Sequence, residues 1–203
     1  GPLTRTVEDA AECLAALEGG RTADLRGASL RGLRLAVLET VALDDVRAVP
    51  LAAFHDAADR LCRAGARIAR LAVPEVAEAL SLAGALFTPE AWAIWGEEIA
   101  ARPDLVFPPV RERFRSGESF SGSDVIRAWR RLREIRAIWA RRTAAFDAVL
   151  LPTSAILPPD AARLLSDSAY FTSENLLALR NTRIGNLMGT CALTLPTGHA
   201  MCG

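Results

Sequence analysis

Leu33-Arg34-Leu35-Ala36-Val37-Leu38 and Ala66-Arg67-Ile68-Ala69-Arg70-Leu71-Ala72-Val73 decide the fold class. The first stretch alternates and then runs apolar, as a mostly buried strand does. The second is a further apolar-rich run, closed by Pro74, which has no N–H to continue a ladder. Between them lies a helical pattern over roughly 46–64, with Asp44-Asp45 as cap candidates and Gly65 as its stop. Strand, helix, strand with short connections is a βαβ unit, and such units are right-handed crossovers in a parallel sheet. The chain is therefore predicted to be α/β. It reads as part of a mixed β-sheet flanked by helices on both faces, incomplete because the residues stop just after a predicted last strand.

Working outward, Val7 to Leu17 has apolar residues at helical spacing, and Gly19-Gly20 stops it. Thr6 is the expected N-cap, with Asp9 completing an approximate capping box. Residues 21–31 read as a loop. Residues 75–100 read as helical with an interruption near Thr88-Pro89, and 103–109 as a loop. The Ser/Gly stretch from Ser116 to Ser123 reads as an exposed connection. Asp124 to Phe146 is the clearest helix, with Val125, Trp129, Leu132, Ile135 and Trp139 on one face. Residues 147–151 form the next strand, stopped by Pro152. A helix over 173–188 follows, with Gly189 as C-cap candidate, and Cys191 to Leu195 is the last predicted strand. There is no internal repeat and no linker, so 1–203 reads as one partial domain.

Composition narrows the function classes. At 51% hydrophobic and 24% charged, the 203 residues are globular rather than disordered. A formal net charge of zero argues against a globally basic nucleic-acid binder. No apolar run is long enough for a membrane span, and nothing resembles a signal peptide. Cys13, Cys62, Cys191 and Cys202 show no Cys-x-x-Cys pairing and no His at ligand spacing, so they read as reduced thiols in a cytoplasmic protein, with no metal and no cofactor site. All 24 basic residues are arginine. With no lysine, no deprotonatable ammonium base can come from these residues, since Arg stays charged.

Three runs carry a resemblance. Gly1-Pro2-Leu3-Thr4-Arg5-Thr6-Val7-Glu8-Asp9-Ala10-Ala11, Phe146-Asp147-Ala148-Val149-Leu150-Leu151-Pro152-Thr153, and the stretch from Asn186 to Gly198 occur in the order seen in the amidase signature family. The chain is identified on these runs as resembling the part of that family after its catalytic core. Cys191 stands where the family often has Pro.

The resemblance implies an amide hydrolase with a Ser-Ser-Lys arrangement. A serine attacks the carbonyl, a second serine relays a proton, a neutral lysine is the base, and a Gly/Ser-rich loop supplies oxyanion donors. In the family these elements precede the first run. The expectation is thus a fragment that supplies scaffold and pocket walls and is inactive alone, with no catalytic residue carried over. The alternative is a non-catalytic, split or degenerate amidase-like module. Unpaired sheet edges and an uncovered apolar face would make such a piece prone to aggregate.

The resemblance also brings the segment before Asn186 near the substrate. Asn181, Thr182 and Arg183 are therefore the candidate substrate-binding residues, with Arg183 suited to a carboxylate-bearing amide through its fork. Helix surface and capping is the competing reading. The implied partners are a small-molecule amide and the missing N-terminal half, with a homodimer left open; neither a membrane nor a nucleic acid is expected. Some family relatives are tRNA-dependent, and the seven arginines from Arg127 to Arg142 outnumber Asp124, Glu134 and Asp147 around them. Against a phosphate-contact role stands a solvated or ion-paired helix face. Ser121-Gly122-Ser123 lacks the oxyanion glycines of a nucleophile loop. His55 sits beside Asp56, but adjacent helical residues do not face each other. His199 has no partner in view.

Overall fold

The computed structural model describes residues 1–198. Two compact units divide it, Gly1–Arg31 and the remainder from Gly32. In the first, helix α1 (Val7–Glu18) starts where expected. Thr6 Oγ1 accepts the Asp9 N–H at 3.0 Å, and Gly19 closes the helix in the left-handed conformation at φ 66°.

The second unit holds the sheet. Strands β1 (Arg34–Leu38), β2 (Arg67–Leu71) and β3 (Ala148–Leu150) lie in the order β2-β1-β3, with both pairings parallel. Leu35 is in register with Ile68 on one side and Ala148 on the other. The helix α2 (Ala48–Arg63) makes the first crossover, so the predicted βαβ unit is present. Its cap differs from expectation. Arg47 precedes the first turn with no side-chain cap, while Asp45 adopts a left-handed φ of 53°. Asp147 locks the start of the sheet: its N–H donates to Arg34 O and its carboxylate accepts the Arg34 N–H, both at 2.7 Å.

The helices α3 (Glu75–Ser81), α4 (Ala83–Ala101), α5 (Pro108–Arg115), α6 (Gly122–Thr143), α7 (Ala161–Ser166) and α8 (Ser168–Met188) complete the unit, with 3₁₀ turns at Pro103–Leu105 and Ser116–Ser119. Leu38 from β1 packs into a cluster with Val76 and Ala79 of α3, Leu86 of α4, Leu132, Ile135 and Trp139 of α6, and Ile184 and Leu187 of α8. Phe54, the buried aromatic of α2, lies outside that cluster. Fully burying one such leucine or isoleucine contributes about 1.5–3 kcal/mol, so this layer against the sheet is the main source of stability.

Three local expectations change. The helix runs through Pro89 and breaks instead at Leu82. Thr88 Oγ1 donates to Gly84 O at 3.0 Å, satisfying a carbonyl beside the lost bond. Gly117 closes on this point: a Cβ there would stand 2.1 Å from Thr88 O, so the "exposed connection" is in fact partly buried and requires glycine. Cys191–Leu195 is not a strand. The segment carries strand-forming residues but finds no ladder among the described residues, and without a paired edge alternation yields only exposed, irregular chain. A Thr153–Thr194 hydroxyl contact at 3.4 Å ties it, and Arg60 Nη2 donates to Thr197 O just beyond it at 2.8 Å.

Candidate functional site

Parallel α/β sheets bind ligands outside the carboxyl ends of their strands. Here that end is built from the loop after β1, the loop after β3, and α8 laid across both. The first loop is strained. Val41 holds φ at 63°, a left-handed value that a β-branched residue rarely adopts, at a cost on the order of 1–3 kcal/mol. What holds it is visible. Thr40 Oγ1 accepts the Val73 N–H at 2.9 Å, and Ala42 O, next to the strained residue, accepts Asn181 Nδ2 at 2.9 Å.

Asn181 is the tie between the loops. Its amide nitrogen also donates to Pro152 O at 2.7 Å, and its oxygen accepts Arg180 Nε at 3.1 Å. At 1% exposure it is a core residue that happens to be polar. Arg180 reaches toward Ala42 O as well, at 3.4 Å. Burial lowers the pKa of its guanidinium, and Asp44 and Asp45 partly offset this.

Two turns before Asn181 on the same face of α8 lies Glu174. Its carboxylate pairs with the Arg47 guanidinium, and the Arg47 N–H donates to Ala155 O at 2.9 Å, which joins the two loops a second time. Glu174 is 5% exposed, and its Oε2 is buried without a hydrogen-bond partner.

The three sequence-predicted residues do not converge. Successive helical residues fan out by about 100°. Asn181 points into the loops. Thr182 is exposed and donates to Leu179 O of its own helix at 3.0 Å. Arg183 turns back along α8 to Leu176 O at 3.0 Å and Leu179 O at 3.4 Å. Burial, and then the like charge of Arg113 on α5, lower the pKa of its guanidinium.

Sequence reading missed the Arg47–Glu174 pair, whose members are 127 residues apart and carry no shared motif. A weak signal existed: Glu174 and Asn181 are seven residues apart, hence on one helical face. The other candidates fall where the competing readings put them. Ser121 is the N-cap of α6, in a capping box with Asp124. His55 is exposed, and Asp56 pairs with Arg60 at 3.2 Å instead. His199 lies outside the described residues. Among the described residues no three His, Cys, Asp or Glu side chains gather as a metal set, and no helix is long and apolar enough to cross a membrane.

The comparisons agree with this architecture. The family model Amidase matches residues 1–201. The 2-amino-5-chloromuconic acid deaminase of Comamonas testosteroni is 35% identical over 202 residues, covering 98% of this chain and 44% of that protein. An amidase of Pseudomonas putida is 28% identical over 225 residues, covering 100% of this chain and 47% of that protein. The chain thus spans less than half the length of these curated relatives. Among solved structures, a glutamyl-tRNA(Gln) amidotransferase component from Thermotoga maritima aligns with a TM-score of 0.63 at 22% identity, covering 93% of this chain and 43% of that one, a likeness of fold. By its sheet, its three sequence runs and a family match over residues 1–201, the chain belongs to the amidase family.

Proposed function

We propose that this chain is the scaffold and substrate-side part of an enzyme hydrolysing carbon–nitrogen amide bonds, with the Ser-Ser-Lys machinery supplied by residues outside these 203. One observation carries the reading: a sequence that belongs to the amidase family contains no lysine at all. The family's base is therefore not among these residues, because no arginine replaces a neutral amine.

In this reading α8 is the pocket wall. Asn181 holds the two loops in place, Thr182 offers an exposed hydroxyl, and Arg183 offers a guanidinium to an acidic substrate. The Comamonas relative is named for an acid substrate, which supports a carboxylate-bearing amide here. The three described cysteines are free, which fits the cytoplasm as compartment.

The test has two arms. The 203-residue chain alone should release no ammonia from primary amides above background; release would overturn the proposal. In a longer form carrying the family's catalytic loop, Arg183→Ala should lower kcat/KM for acidic amides and leave neutral ones unchanged. Equal loss on both, or none, would remove Arg183 from the pocket.

A second reading is a non-catalytic module of a larger assembly, favoured by the likeness in fold to a component of an amidotransferase. A longer form that binds amides, shows no turnover and purifies with a partner chain would select it.

A further inference from the structure

We infer that Arg113 and Arg183, with the apolar hollow one turn of α8 away from Asn175, form a binding site for a small organic carboxylate with an aromatic or branched apolar body. The regions of α5 and α8 that build it meet through long side chains. Phe107, at the start of α5, meets Phe171 of α8 edge-on, with ring centroids 5.2 Å apart. Further along both helices, the Arg113 guanidinium holds the Asn175 amide oxygen with two donors at 2.9 and 3.2 Å, in the amide orientation that sets oxygen against donors. Arg183 brings its own guanidinium to Leu176 O and Leu179 O on the next turn. Two cations therefore stand over one stretch of α8.

Neither has an acidic partner among the described ion pairs. The acids on hand are taken: Glu112 pairs with Arg111 at 3.4 Å and Glu118 with Arg115 at 3.9 Å. Two guanidinium groups held close, one of them half-buried, repel each other and lose hydration. Their mutual effect is already felt at Arg183, whose proton affinity is lowered by burial and by Arg113. An anion relieves both costs, and a carboxylate matches the guanidinium fork with two parallel bonds.

The apolar component selects what kind of anion. Phe107, Ala161, Leu164, Leu165 and Phe171 line an open surface hollow of about 360 Å³ whose exposed lining is apolar. Phe171 lies one helical turn before Asn175, about 6 Å along the axis. The ligand that fits therefore has its charge roughly one turn's length from its apolar body. Inorganic phosphate satisfies the arginines but leaves the hollow empty; an alcohol of the same shape does the reverse.

The inference shares Arg183 with the proposed function and rests on that reading only there. Binding is measured without turnover, so its failure leaves the amidase reading standing. The experiment is calorimetric titration of the 203-residue chain with 3-phenylpropionate, 3-phenylpropanol and inorganic phosphate. Expected is saturable binding of the propionate with Kd in the range of ~1 mM or below. The alcohol should bind at least ~10-fold more weakly, as loss of one good ionic contact implies. Arg113→Gln, an exposed position whose change leaves the core intact, and Phe171→Ala should each weaken the propionate by a similar factor. Equal binding of acid and alcohol, phosphate binding as tight as the propionate, or an unaffected Arg113→Gln would each overturn the site.

Discussion

α6 and α8 both carry arginines, and the fold treats them oppositely. On α6 the charge excess read from the sequence is largely cancelled by other elements. Arg131 grips both oxygens of Glu78 on α3 at 2.6 and 2.7 Å and also reaches Glu134 at 2.8 Å. Arg142 bonds Glu75 at 3.1 Å and Ala72 O at 3.2 Å. Arg136 stacks over Trp129 and donates to Leu187 O at 2.7 Å, closing the end of α8. On α8, Arg180 and Arg183 hydrogen-bond to backbone carbonyls and appear in no described ion pair. The lesson is that a count of arginines along a helix says little. What matters is whether a neighbouring element presents acids at matching height, as α3 does for α6.

The comparison can be broken most severely at Asn181, the polar anchor of α8. Asn181→Leu strands two buried carbonyls, Ala42 O and Pro152 O, at about 1–3 kcal/mol each. It also releases the strained turn at Val41. Chemical denaturation should show a loss of about 3 kcal/mol or more; a loss under about 1 kcal/mol would mean that the loops do not depend on this clamp.

Next comes the contact that joins the two helices. Arg136→Ala removes the cation at the C-terminus of α8 and its bonds to Leu187 O and Asn186 O. A loss of about 1–2 kcal/mol in equilibrium unfolding is expected, with earlier amide exchange in the last turn of α8. Unchanged exchange there would show the cap to be idle.

The α6–α3 network is weaker because it faces solvent. Glu78 titrates below its ordinary value, chiefly through its hydrogen bonds from Arg131. Arg131→Ala should lower the melting temperature slightly at low ionic strength, and the difference should shrink in molar salt. A salt-independent difference would point to packing of the arginine stem instead.

The smallest effect belongs to the capping box. Asp124 titrates at about 2 against an ordinary 3.8, held first by the Ser121 hydroxyl, then by the Ser121 N–H and Arg127. A carboxyl with a depressed folded pKa stabilises above its unfolded value and loses that contribution as pH falls toward the folded value. The melting-temperature gap between wild type and Asp124→Asn should therefore be level from neutral pH down to about 5 and close toward pH 2. A gap that persists at pH 2 would assign it to helix propensity.

Much of this fold was legible because its signals are local. Thr6 caps the residue three places on; Gly19 and Gly189 close helices by backbone conformation; the apolar run Leu35 to Leu38 lies within one mostly buried strand. The α6 core face was readable for the same reason, since Leu132, Ile135 and Trp139 recur at helical spacing. The site was less legible. Asn181 was singled out for its place before the Asn186 run, yet its bonds are to carbonyls 139 and 29 residues away. Arg47–Glu174 had no signal strong enough to find.

By itself the sequence determined the βαβ start, the helix ends, the family and the absence of a lysine base. Each depends on residue identity or on neighbours a few places along the chain. Only the tertiary structure decided which arginines meet acids, that Asn181 is a clamp, that Cys191–Leu195 joins no ladder among the described residues, and that Arg113 and Arg183 both reach the stretch of α8 around Asn175 and Leu176. Those outcomes depend on which elements pack together. Charge pairing and ladder formation act over a few ångströms in space, whatever the distance along the chain.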